Sequence, residues 1–403
     1  MSKHYIFYTR NELPQLDIPS LVQVTHEANA AANLGYSTIL VYLKSRTQAL
    51  NGMEFLRPFK VKKINNQVIQ AYNLSDQLKE ITLPIPWSLV GKGRKWTDTN
   101  TIVSKYYFPF HLASKTQILH TRDWNLAKVA TRYKVPVIYE QDHDDAKTFD
   151  AEIVQSPYFQ VAVTVAESLR KKMIDKGMPA EKTVSLHNGY NQLFLIRKPQ
   201  EAAEWRGQLI SDPIQHLIVY AGGLYPFKGV DLLIDVAKML PNFQFAIAGG
   251  KEDQVKFYEQ QAQDKQVNNV KFIGFLSQEK LASLLQAADV LAYPHRSGEA
   301  STFTSPLKFF DYMASGTPIV ATEILPLKEF KSLNMAVGWC EPDDPNQFAQ
   351  TIQQVLSKYP RKIDGYTNSI ESVEQFSWEN RVNQILSYVE KSMRPTVFKS
   401  YCE

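Results

Sequence analysis

Residues 304–322 read TSPLKFFDYMASGTPIVAT, and the fold prediction starts from this stretch. Its first part, Pro306–Ser315, has the pattern of a helix, and its second part, Pro318–Ala321, is a short run that is apolar throughout. A strand without polar alternation is typical of a sheet that helices cover on both faces. The stretch therefore predicts one helix–strand unit of a buried parallel sheet.

The same unit recurs through the back half of the chain. The predicted strands there are His216–Ala221, Phe243–Ala248, Val270–Ile273, Val290–Tyr293, Pro318–Ala321 and Ala336–Trp339. The predicted helices between them are Val230–Leu240, Asp253–Lys265, Gln278–Ala288, Pro306–Ser315 and Asn346–Lys358. Repeated units of this kind form a doubly wound parallel sheet.

The front half repeats the pattern less clearly. Its predicted strands are Tyr5–Tyr8, Ser37–Tyr42, Gln117–His120, Pro136–Glu140 and Val161–Val165, with helices at Ser20–Leu34 and Trp124–Tyr133. The fold class is therefore α/β, with two doubly wound parallel-sheet domains in tandem. We expect the first domain at residues 1–195, the second at 196–375, and a terminal helix and tail at 376–403 that crosses back to the first.

Composition restricts the class of protein. The chain has 403 residues, of which 44 % are hydrophobic and 21 % charged, which is ordinary for a globular protein and excludes a disordered or collagen-like chain. Two cysteines, Cys340 and Cys402, are too few for a disulfide framework or a zinc site, which favours a reducing compartment. Because no apolar run approaches the roughly 18 residues of a membrane span and Met1–Arg10 lacks a signal-peptide core, we expect a cytoplasmic protein.

Charge is unevenly distributed. Residues 1–200 carry 26 Lys+Arg against 17 Asp+Glu, whereas residues 201–403 carry 19 against 24. A basic half indicates an anionic substrate, an anionic membrane or a nucleic acid, and no nucleic-acid-binding motif accompanies the charge. Residues 84–96 (PIPWSLVGKGRKW) combine tryptophans with cations, as a membrane interface, an acceptor groove or a loop with aromatic anchors would.

The helix start after Thr304 is the first candidate ligand site, because open α/β sheets bind ligands beside such helix N-termini. Ser305 is a good N-cap and Pro306 suits the first turn, which leaves the N–H groups of Leu307 and Lys308 free. A helix N-terminus of this kind attracts phosphate, and Lys308 adds a positive charge. Asp311 could accept two hydroxyl hydrogen bonds, as a ribose diol offers. The alternative is a capped helix with no ligand.

A second loop, Ala221–Gly229 (AGGLYPFKG), joins a buried strand to a helix. Gly222 and Gly223 would let the backbone approach a ligand, and Lys228 lies just before the next helix. The loop is neither a P-loop nor a dinucleotide fingerprint, so alone it is equally a glycine-rich turn. Taken with the first site, it predicts that Lys228 and Lys308 converge on one anion.

Three further loops carry candidate residues. Gly274–Ser277 (GFLS) could contact a base or form a simple turn. His120–Asp123 (HTRD) and Glu140–Asp145 (EQDHDD) follow front-half strands, and carboxylates with histidine can bind metal or serve acid–base chemistry. The spacing matches no common zinc motif, so we expect no metal. His143 is then either a ligand-contacting histidine or a surface residue without a role.

Four motifs in order resemble those of the retaining family 4 glycosyltransferases, which have the GT-B fold and a glycogen-synthase-like C-terminal domain. They are 163–191 (VTVAESLRKKMIDKGMPAEKTVSLHNGYN), 221–229, 270–294 (VKFIGFLSQEKLASLLQAADVLAYP) and 304–322. The resemblance covers nearly all of the back half and the end of the front half. It implies two Rossmann-like domains facing a cleft, the first binding the acceptor and the second the nucleotide-sugar.

The resemblance also implies a reaction. A hexosyl group would pass from a nucleotide-sugar to a hydroxyl of a glycan or lipid-linked saccharide, with retention and without metal or other cofactor. UDP-glucose is the expected donor, on family frequency alone, and polysaccharide biosynthesis is the expected context. The basic first half would contact an anionic membrane on its inner face.

Residue roles follow from the matched motifs. Lys228 and the helix start would hold the donor diphosphate, Leu276 would lie near the base, and Asp311 would take the ribose-binding role that a glutamate usually fills. The expected donor-binding residues are Gly222, Gly223, Lys228, Leu276, Ser305, Pro306, Leu307, Lys308, Asp311 and Asn188, the last from an asparagine–glycine turn. The expected catalytic residues are His120, Glu299 and His143, with His143 near the transferred sugar.

The sequence departs from the family at three places. Gly223 stands where an arginine is usual, Phe303 stands where the E-x7-E pattern has a carboxylate, and residues 11–20 (NELPQLDIPS) replace the usual paired glycines. Glu299 would replace the missing carboxylate across a short insertion. Two alternatives therefore stay open: a UDP-sugar epimerase-like enzyme or phosphorylase of the same fold, and a catalytically silent nucleotide-sugar-binding protein.

Overall fold

Two units, each with its own sheet, share the chain. The structure is a computed structural model, and it describes residues 3–16, 18–45, 54, 58–85, 98–211, 214–302 and 306–397. The first unit comprises the described residues up to His187 together with those from Trp378 onward. The second unit is Asn188–Ser377.

The first unit contains an eight-stranded sheet. Its strands are β1 (His4–Tyr8), β2 (Thr38–Leu43), β3 (Lys62–Lys63), β4 (Lys79–Leu83), β5 (Thr116–Thr121), β6 (Val137–Gln141), β7 (Phe159–Thr164) and β8 (Thr183–Ser185). Their spatial order is β3-β4-β2-β1-β5-β6-β7-β8. All pairings are parallel except that of the edge strand β3 with β4, which is antiparallel.

Helices connect these strands. They are α1 (Pro19–Asn33), α2 (Asn66–Tyr72), α3 (Thr99–Ile102), α4 (Trp124–Arg132), α5 (Ala151–Val154) and α6 (Glu167–Asp175). A π-helix follows α3 at Val103–Leu112 and contains Pro109. Short 3-10 turns lie at Ala113–Lys115 and Ala180–Lys182.

The second unit contains a six-stranded, wholly parallel sheet in the order β11-β10-β9-β12-β13-β14. Its strands are β9 (His216–Ala221), β10 (Phe243–Ala248), β11 (Val270–Gly274), β12 (Val290–Tyr293), β13 (Ile319–Thr322) and β14 (Val337–Cys340). Its helices are α7 (Pro199–Leu209), α8 (Val230–Met239), α9 (Glu252–Asp264), α10 (Gln278–Ala287), α11 (Glu299–Thr302), α12 (Leu307–Ser315), α13 (Pro345–Lys358) and α14 (Thr367–Glu374). Its 3-10 turns are Gln192–Leu195, Pro226–Lys228 and Leu325–Ser332.

The apolar strands of the second sheet are explained by cores on both of its faces. Along β9, Leu217 and Val219 belong to one buried cluster, whereas Ile218 and Tyr220 belong to the other. Successive side chains of a strand point to opposite faces, so a strand covered on both sides must be apolar at every position. This layered arrangement confirms the predicted α/β class with two parallel-sheet domains.

The chain returns to the first unit at its end, where α15 (Trp378–Ser387) and the turn Lys391–Met393 lie. The unit boundaries differ from the predicted ones at 195/196 and 375/376, because the structure divides the chain at 187/188 and 377/378. The turn after Asn191 accounts for the first difference, since its Leu193 and Phe194 are buried in the core of the second unit.

Several elements of the first unit were not predicted. They are the strands β3, β4 and β8, the helices α2, α3, α5 and α6 and the π-helix, and most of them are short. A two-residue strand such as β3 has no periodicity to detect, because only its pairing with β4 defines it. No helix among the described ranges combines the length and the apolar character that crossing a bilayer requires.

Candidate functional site

Paired glycines follow two neighbouring strands of the second sheet. Gly222 and Gly223 follow β9, and Gly249 and Gly250 follow β10. Gly249 has a φ of +109°, and a Cβ at this residue would lie 2.1 Å from the carbonyl oxygen of Gly222. The two loops can therefore approach each other here only as bare backbone.

The turn that ends at Lys228 leads from this edge into α8. Gly229 follows it with a φ of +73°, and a Cβ there would lie 1.9 Å from the carbonyl oxygen of Pro294. The turn is thus pressed against the residues after β12. This packing places Lys228 Nζ 2.7 Å from His295 Nε2.

The Lys228–His295 contact joins two basic groups directly. One nitrogen of a hydrogen-bonded pair must accept, so the pair cannot hold its full complement of protons. Burial and the positive charge of Lys308 lower the pKa of Lys228 to about 7. Burial and the neighbouring Lys228 hold the pKa of His295 well below its usual value, and its ring stacks on Tyr293 at 4.0 Å between centroids. In the free site His295 is neutral and Lys228 is only partly charged near pH 7, and a bound anion would favour the charged form of Lys228.

The second cation stands in the first turn of α12. The helix begins at Leu307, and Pro306 occupies the cap position without a side-chain cap. The predicted N-cap, Ser305, lies outside the described residues. Lys308 is close enough to Lys228 for its charge to act on the pKa of Lys228. The two lysines are thus near enough to interact electrostatically, and their convergence on one anion stays a prediction.

Asp311, one turn further along α12, is buried. Lys308 Nζ donates to its Oδ2 at 3.2 Å, and the backbone N–H of Asn191 donates to its Oδ1 at 3.4 Å. Burial raises the pKa of Asp311, and Lys308 opposes that rise. Both carboxylate oxygens are thus engaged, so a ribose diol would have to share or replace these contacts.

Tyr312 fixes α12 to the end of β9. Its hydroxyl accepts a hydrogen bond from the backbone N–H of Ala221 at 2.7 Å and donates to the Ala221 carbonyl at 3.2 Å. Because Ala221 directly precedes Gly222, these hydrogen bonds hold the helix that carries Lys308 in a fixed position beside the glycine loop. The arrangement can bind an anion between fixed cations and free helix N–H groups.

The other predicted residues of this unit take different places. Leu276, after β11, is partly buried against the core. Asn188, the first residue of the unit, is buried, whereas Glu299 is exposed as the first residue of α11. Glu299 is expected to replace the carboxylate that is missing at Phe303. Residues 303–305 lie outside the described residues, so this role stays a prediction.

His120, one of the expected catalytic residues, is buried in the first unit, and its catalytic role stays a prediction. It lies in β5, is 1 % exposed, and hydrogen-bonds the hydroxyl of Tyr5 through Nδ1 at 3.0 Å. Its Nε2 lies 3.5 Å from Glu140 Oε1 and 4.0 Å from Glu27 Oε2. His120 is thus part of a buried polar network with Tyr5, Glu27 and Glu140.

Arg381 of α15 completes that network. Its Nε lies 2.6 Å from Glu27 Oε1 and its Nη2 2.8 Å from Glu140 Oε1. Burial raises the pKa of Glu140, but the positive charges of Arg381 and His120 outweigh that effect and lower this pKa to about 2. The oxygens and nitrogen of Glu27, His120 and Glu140 lie within 4.8 Å of one another, as metal ligands do, and the guanidinium of Arg381 pairs with both carboxylates.

His143 follows β6 and is accessible, with 76 % of its side chain exposed. Its Nδ1 lies 2.7 Å from Asp142 Oδ1, and this hydrogen bond raises the pKa of His143. Asp142 also pairs with Arg122 at 2.5 Å, whereas Asp144 pairs with Lys176. The acidic run 140–145 is thus neutralised by cations, and it presents no free carboxylate pair for acid–base chemistry.

Sequence reasoning missed three features of these sites. His295 carries no motif, and only its position after β12, two residues beyond Tyr293, could have drawn attention to it. Gly249 and Gly250 were detectable as a glycine pair at a strand end, like Gly222 and Gly223. The Glu27–Arg381 pair was not detectable, because its members are separated by most of the chain.

Comparisons with known proteins place the chain. The family described as "Glycosyl transferases group 1" matches residues 201–371. D-inositol 3-phosphate glycosyltransferase of Mycolicibacterium smegmatis is 25% identical over 245 residues, which are 57% of this chain but only 54% of that protein. An uncharacterized glycosyltransferase of Methanocaldococcus jannaschii is 25% identical over 69% of this chain and 76% of its own. The chain thus spans about half the length of the first of these relatives.

Solved structures share the whole architecture. Anabaena Alr3699/HepE in complex with UDP and glucose superposes with a TM-score of 0.64 at 17% identity, covering 96% of this chain and 98% of that one. A glycosyltransferase of Rickettsia africae gives a TM-score of 0.69 at 14% identity over 98% and 99% of the two chains. The chain has the GT-B fold of these solved structures, and residues 201–371 of its second unit match the group 1 glycosyltransferase family.

Proposed function

We propose that this protein transfers a glycosyl group from a nucleoside-diphosphate sugar to an acceptor hydroxyl, and that its second unit binds the donor. The observation that carries the proposal is the convergence of Lys228 and Lys308 at the end of β9, beside the N-terminus of α12. The negative charge of a diphosphate would balance the positive charge of these two lysines. The complexes of Anabaena HepE with UDP and with UDP-glucose support a nucleotide-sugar as ligand.

The donor contacts follow from this placement. Lys228, Lys308 and the N–H groups of Leu307 and Lys308 hold the diphosphate, with Gly222 and Gly223 giving it backbone access. Asp311 accepts from the ribose hydroxyls after Lys308 turns to the phosphate. Leu276 contacts the base. The remaining proposed donor contacts are Asn188, Ser305 and Pro306.

The chemistry needs no covalent nucleophile in this proposal. As the glycosidic bond to the donor breaks, the leaving diphosphate gains negative charge, and fixed cations and N–H groups stabilise that charge. Proton uptake by Lys228 adds to this stabilisation, because its pKa lies near 7 before the anion binds. Retention of configuration, glucose as the sugar and independence of metal belong to the proposal. The catalytic roles of His143 and Glu299 remain predictions.

The acceptor is proposed as a glycan or a lipid-linked saccharide in polysaccharide biosynthesis. The excess of cations in residues 1–200 favours an acceptor with anionic groups or at an anionic membrane. The alternative of an epimerase or phosphorylase was based on the acidic run 140–145. Because that run is paired with cations, it no longer favours this alternative. The donor-hydrolysis experiment described next distinguishes a transferase from a catalytically silent nucleotide-sugar-binding protein.

The full-length protein is incubated with UDP- and GDP-sugars, with and without EDTA, and nucleoside diphosphate release is measured. We expect slow hydrolysis of at least one donor, unaffected by EDTA, with the α-anomer of the sugar released first from an α-linked donor. If one nucleotide-sugar were converted into another with the nucleotide still attached, the protein would be an epimerase and not a transferase. Tight binding with no turnover on any donor would make the chain a binding protein.

A further inference from the structure

A pair of aromatic rings lies on the turn that carries Lys228. Tyr225 comes directly before the turn Pro226–Lys228, and Phe227 is its middle residue. The two rings are nearly parallel, with 11° between their planes and 5.9 Å between their centroids. Tyr225 is 47 % exposed and Phe227 is half-buried. Large rings that stay open side by side on a loop contribute little to a core, and such patches commonly bind a ligand.

The backbone holds this aromatic pair in place. The N–H of Lys228 donates to the carbonyl of Tyr225 at 2.8 Å, and the N–H of Arg296 donates to the carbonyl of Phe227 at 2.9 Å. A Cβ at Gly223 would lie 2.8 Å from Cε2 of the Tyr225 ring, so that ring rests directly against bare backbone. A surface that is already ordered loses little conformational entropy when a ligand binds.

The aromatic pair is next to the proposed diphosphate site. Lys228 Nζ lies 4.9 Å from the centroid of the Phe227 ring. The ring of His295, whose Nε2 contacts the same lysine, lies 6.2 Å from that of Phe227 between centroids. A ligand with a phosphate on Lys228 therefore has the group bonded to that phosphate near these rings.

The strand order indicates which group that is. In the order β11-β10-β9-β12, the strands β11 and β12 lie on opposite sides of β9. Phe227 contacts the residues that follow β12, whereas Leu276, the proposed base contact, follows β11. The aromatic pair and the proposed base contact are thus on opposite sides of β9. In a nucleoside-diphosphate sugar, the group at the other end of the diphosphate from the base is the sugar.

We propose that Tyr225, supported by Phe227, forms an aromatic subsite for a hexopyranose ring. The C–H face of a pyranose is apolar and its hydroxyls point outward, so the face packs on the Tyr225 ring while the hydroxyls stay available to polar groups. This inference rests on the proposed function, because the sugar is either that of the donor or the terminal one of the acceptor, and the two meet where transfer takes place.

Calorimetry with the full-length protein tests the donor as the source of the sugar. UDP and UDP-glucose differ only in the sugar, so their affinities in one variant isolate the sugar contact. If the ring binds the donor's sugar, Tyr225→Ala should weaken UDP-glucose binding about fivefold and leave UDP binding at the wild-type value. Tyr225→Phe keeps the ring and should restore the UDP-glucose affinity.

Saturation-transfer NMR tests the sugar alone, with methyl α-glucopyranoside, methyl α-mannopyranoside and methyl β-galactopyranoside as probes. The wild type, with and without UDP, should transfer saturation to at least one of these glycosides, Tyr225→Phe should do the same, and Tyr225→Ala should lose the signal. Loss of the glycoside signal in Tyr225→Ala with an unchanged UDP-glucose affinity would assign the subsite to the acceptor. Loss of both would assign it to the donor.

The matched control is Tyr388→Ala, which removes a tyrosine of the first unit that is 51 % exposed and should change neither measurement. Melting curves of all variants should match wild type, which separates sugar binding from folding. The proposal is wrong if Tyr225→Ala alters neither UDP-glucose affinity nor a glycoside signal, or if it weakens UDP and UDP-glucose equally. A wild type that binds glycosides through Tyr225 but no nucleotide would refute the proposed function and keep the subsite.

Discussion

At the scale of single residues, the Lys228–His295 pair sets the electrostatics of the proposed donor site. A lysine normally stays charged far above neutral pH, but here burial and Lys308 bring its pKa to about 7. His295 stays neutral because burial and Lys228 lower its pKa. Near pH 7 a bound anion would therefore favour the protonated form of Lys228.

Donor affinity should depend on pH through Lys228. Below about pH 7 the free protein carries the charged lysine, and above it the lysine must take up a proton on binding, so affinity should fall as pH rises from 7 to 9. Calorimetry of UDP-glucose binding in buffers of different ionisation enthalpy measures this uptake, and the donor's phosphodiester does not titrate there. Lys228→Arg, which stays charged, should flatten the profile. Heats that do not depend on the buffer would contradict the assignment.

Lys308→Ala should weaken UDP binding by about 1–3 kcal/mol, the range for a charge-assisted contact. The variant also leaves Asp311 buried without its lysine, which favours the protonated carboxyl. Isothermal calorimetry at pH 6.5 measures the loss, and Lys238→Ala, an exposed lysine at the end of α8, is the control. Unchanged affinity for Lys308→Ala would remove that lysine from the site.

At the scale of elements, the site depends on how strand ends are packed. Tyr312 ties α12 to Ala221, and the bare backbone at Gly222 and Gly249 lets the loops after β9 and β10 touch. The helix dipole and the lysine of α12 act on a ligand only because this packing aims the helix start at the sheet edge.

Gly249→Ala should destabilise the second unit by about 1–3 kcal/mol, because the new Cβ would meet the Gly222 carbonyl at 2.1 Å and the residue has a positive φ. It should also lower donor affinity, since the glycine loop must shift. Gly207→Ala is the matched control: this helical glycine has no atom within 4 Å of the added Cβ, so the change should be neutral or stabilising. Denaturant unfolding of both variants decides, and equal stabilities would refute the packing argument.

At the scale of the whole molecule, the first unit is built from two separate segments of the chain, one before and one after the second unit. α15 follows the second unit but belongs to the first, where Trp378 stacks on His26 of α1 with 5.7 Å between ring centroids. Arg381 binds Glu27 and Glu140 in the core and also donates to the carbonyls of Leu186 and His187. One buried guanidinium thus joins the two ends of the first unit's chain.

Arg381→Met should destabilise the first unit by about 3–5 kcal/mol, because it leaves two buried carboxylates without their cation. Hydrogen exchange read by mass spectrometry should show faster exchange in α1, β6 and α15, with the second unit unchanged. Arg132→Met, an exposed arginine on α4, should change exchange nowhere. If Arg381→Met raised exchange equally in both units, the network would not be specific to the first.

The sequence determined all six strands of the second unit and the helices between them at α8, α9, α10, α12 and α13, but not α7, α11 or α14. Its strands are apolar at every position because two cores require it, and its ligand loops lie at strand ends, so Lys228, Lys308 and the glycine pair at 222–223 could be found by pattern. Local spacing carries that information. The first unit was harder, since β3 and β4 are defined by pairing rather than by periodicity.

Only the tertiary structure decided where the remaining functional groups lie. It placed His120 in the core, left His143 exposed, and brought His295 to Lys228. It also joined Glu27 to Arg381 across most of the chain. Burial and charge pairing depend on contacts between residues distant in sequence, and they set the pKa and the accessibility of each group, so no local pattern records them.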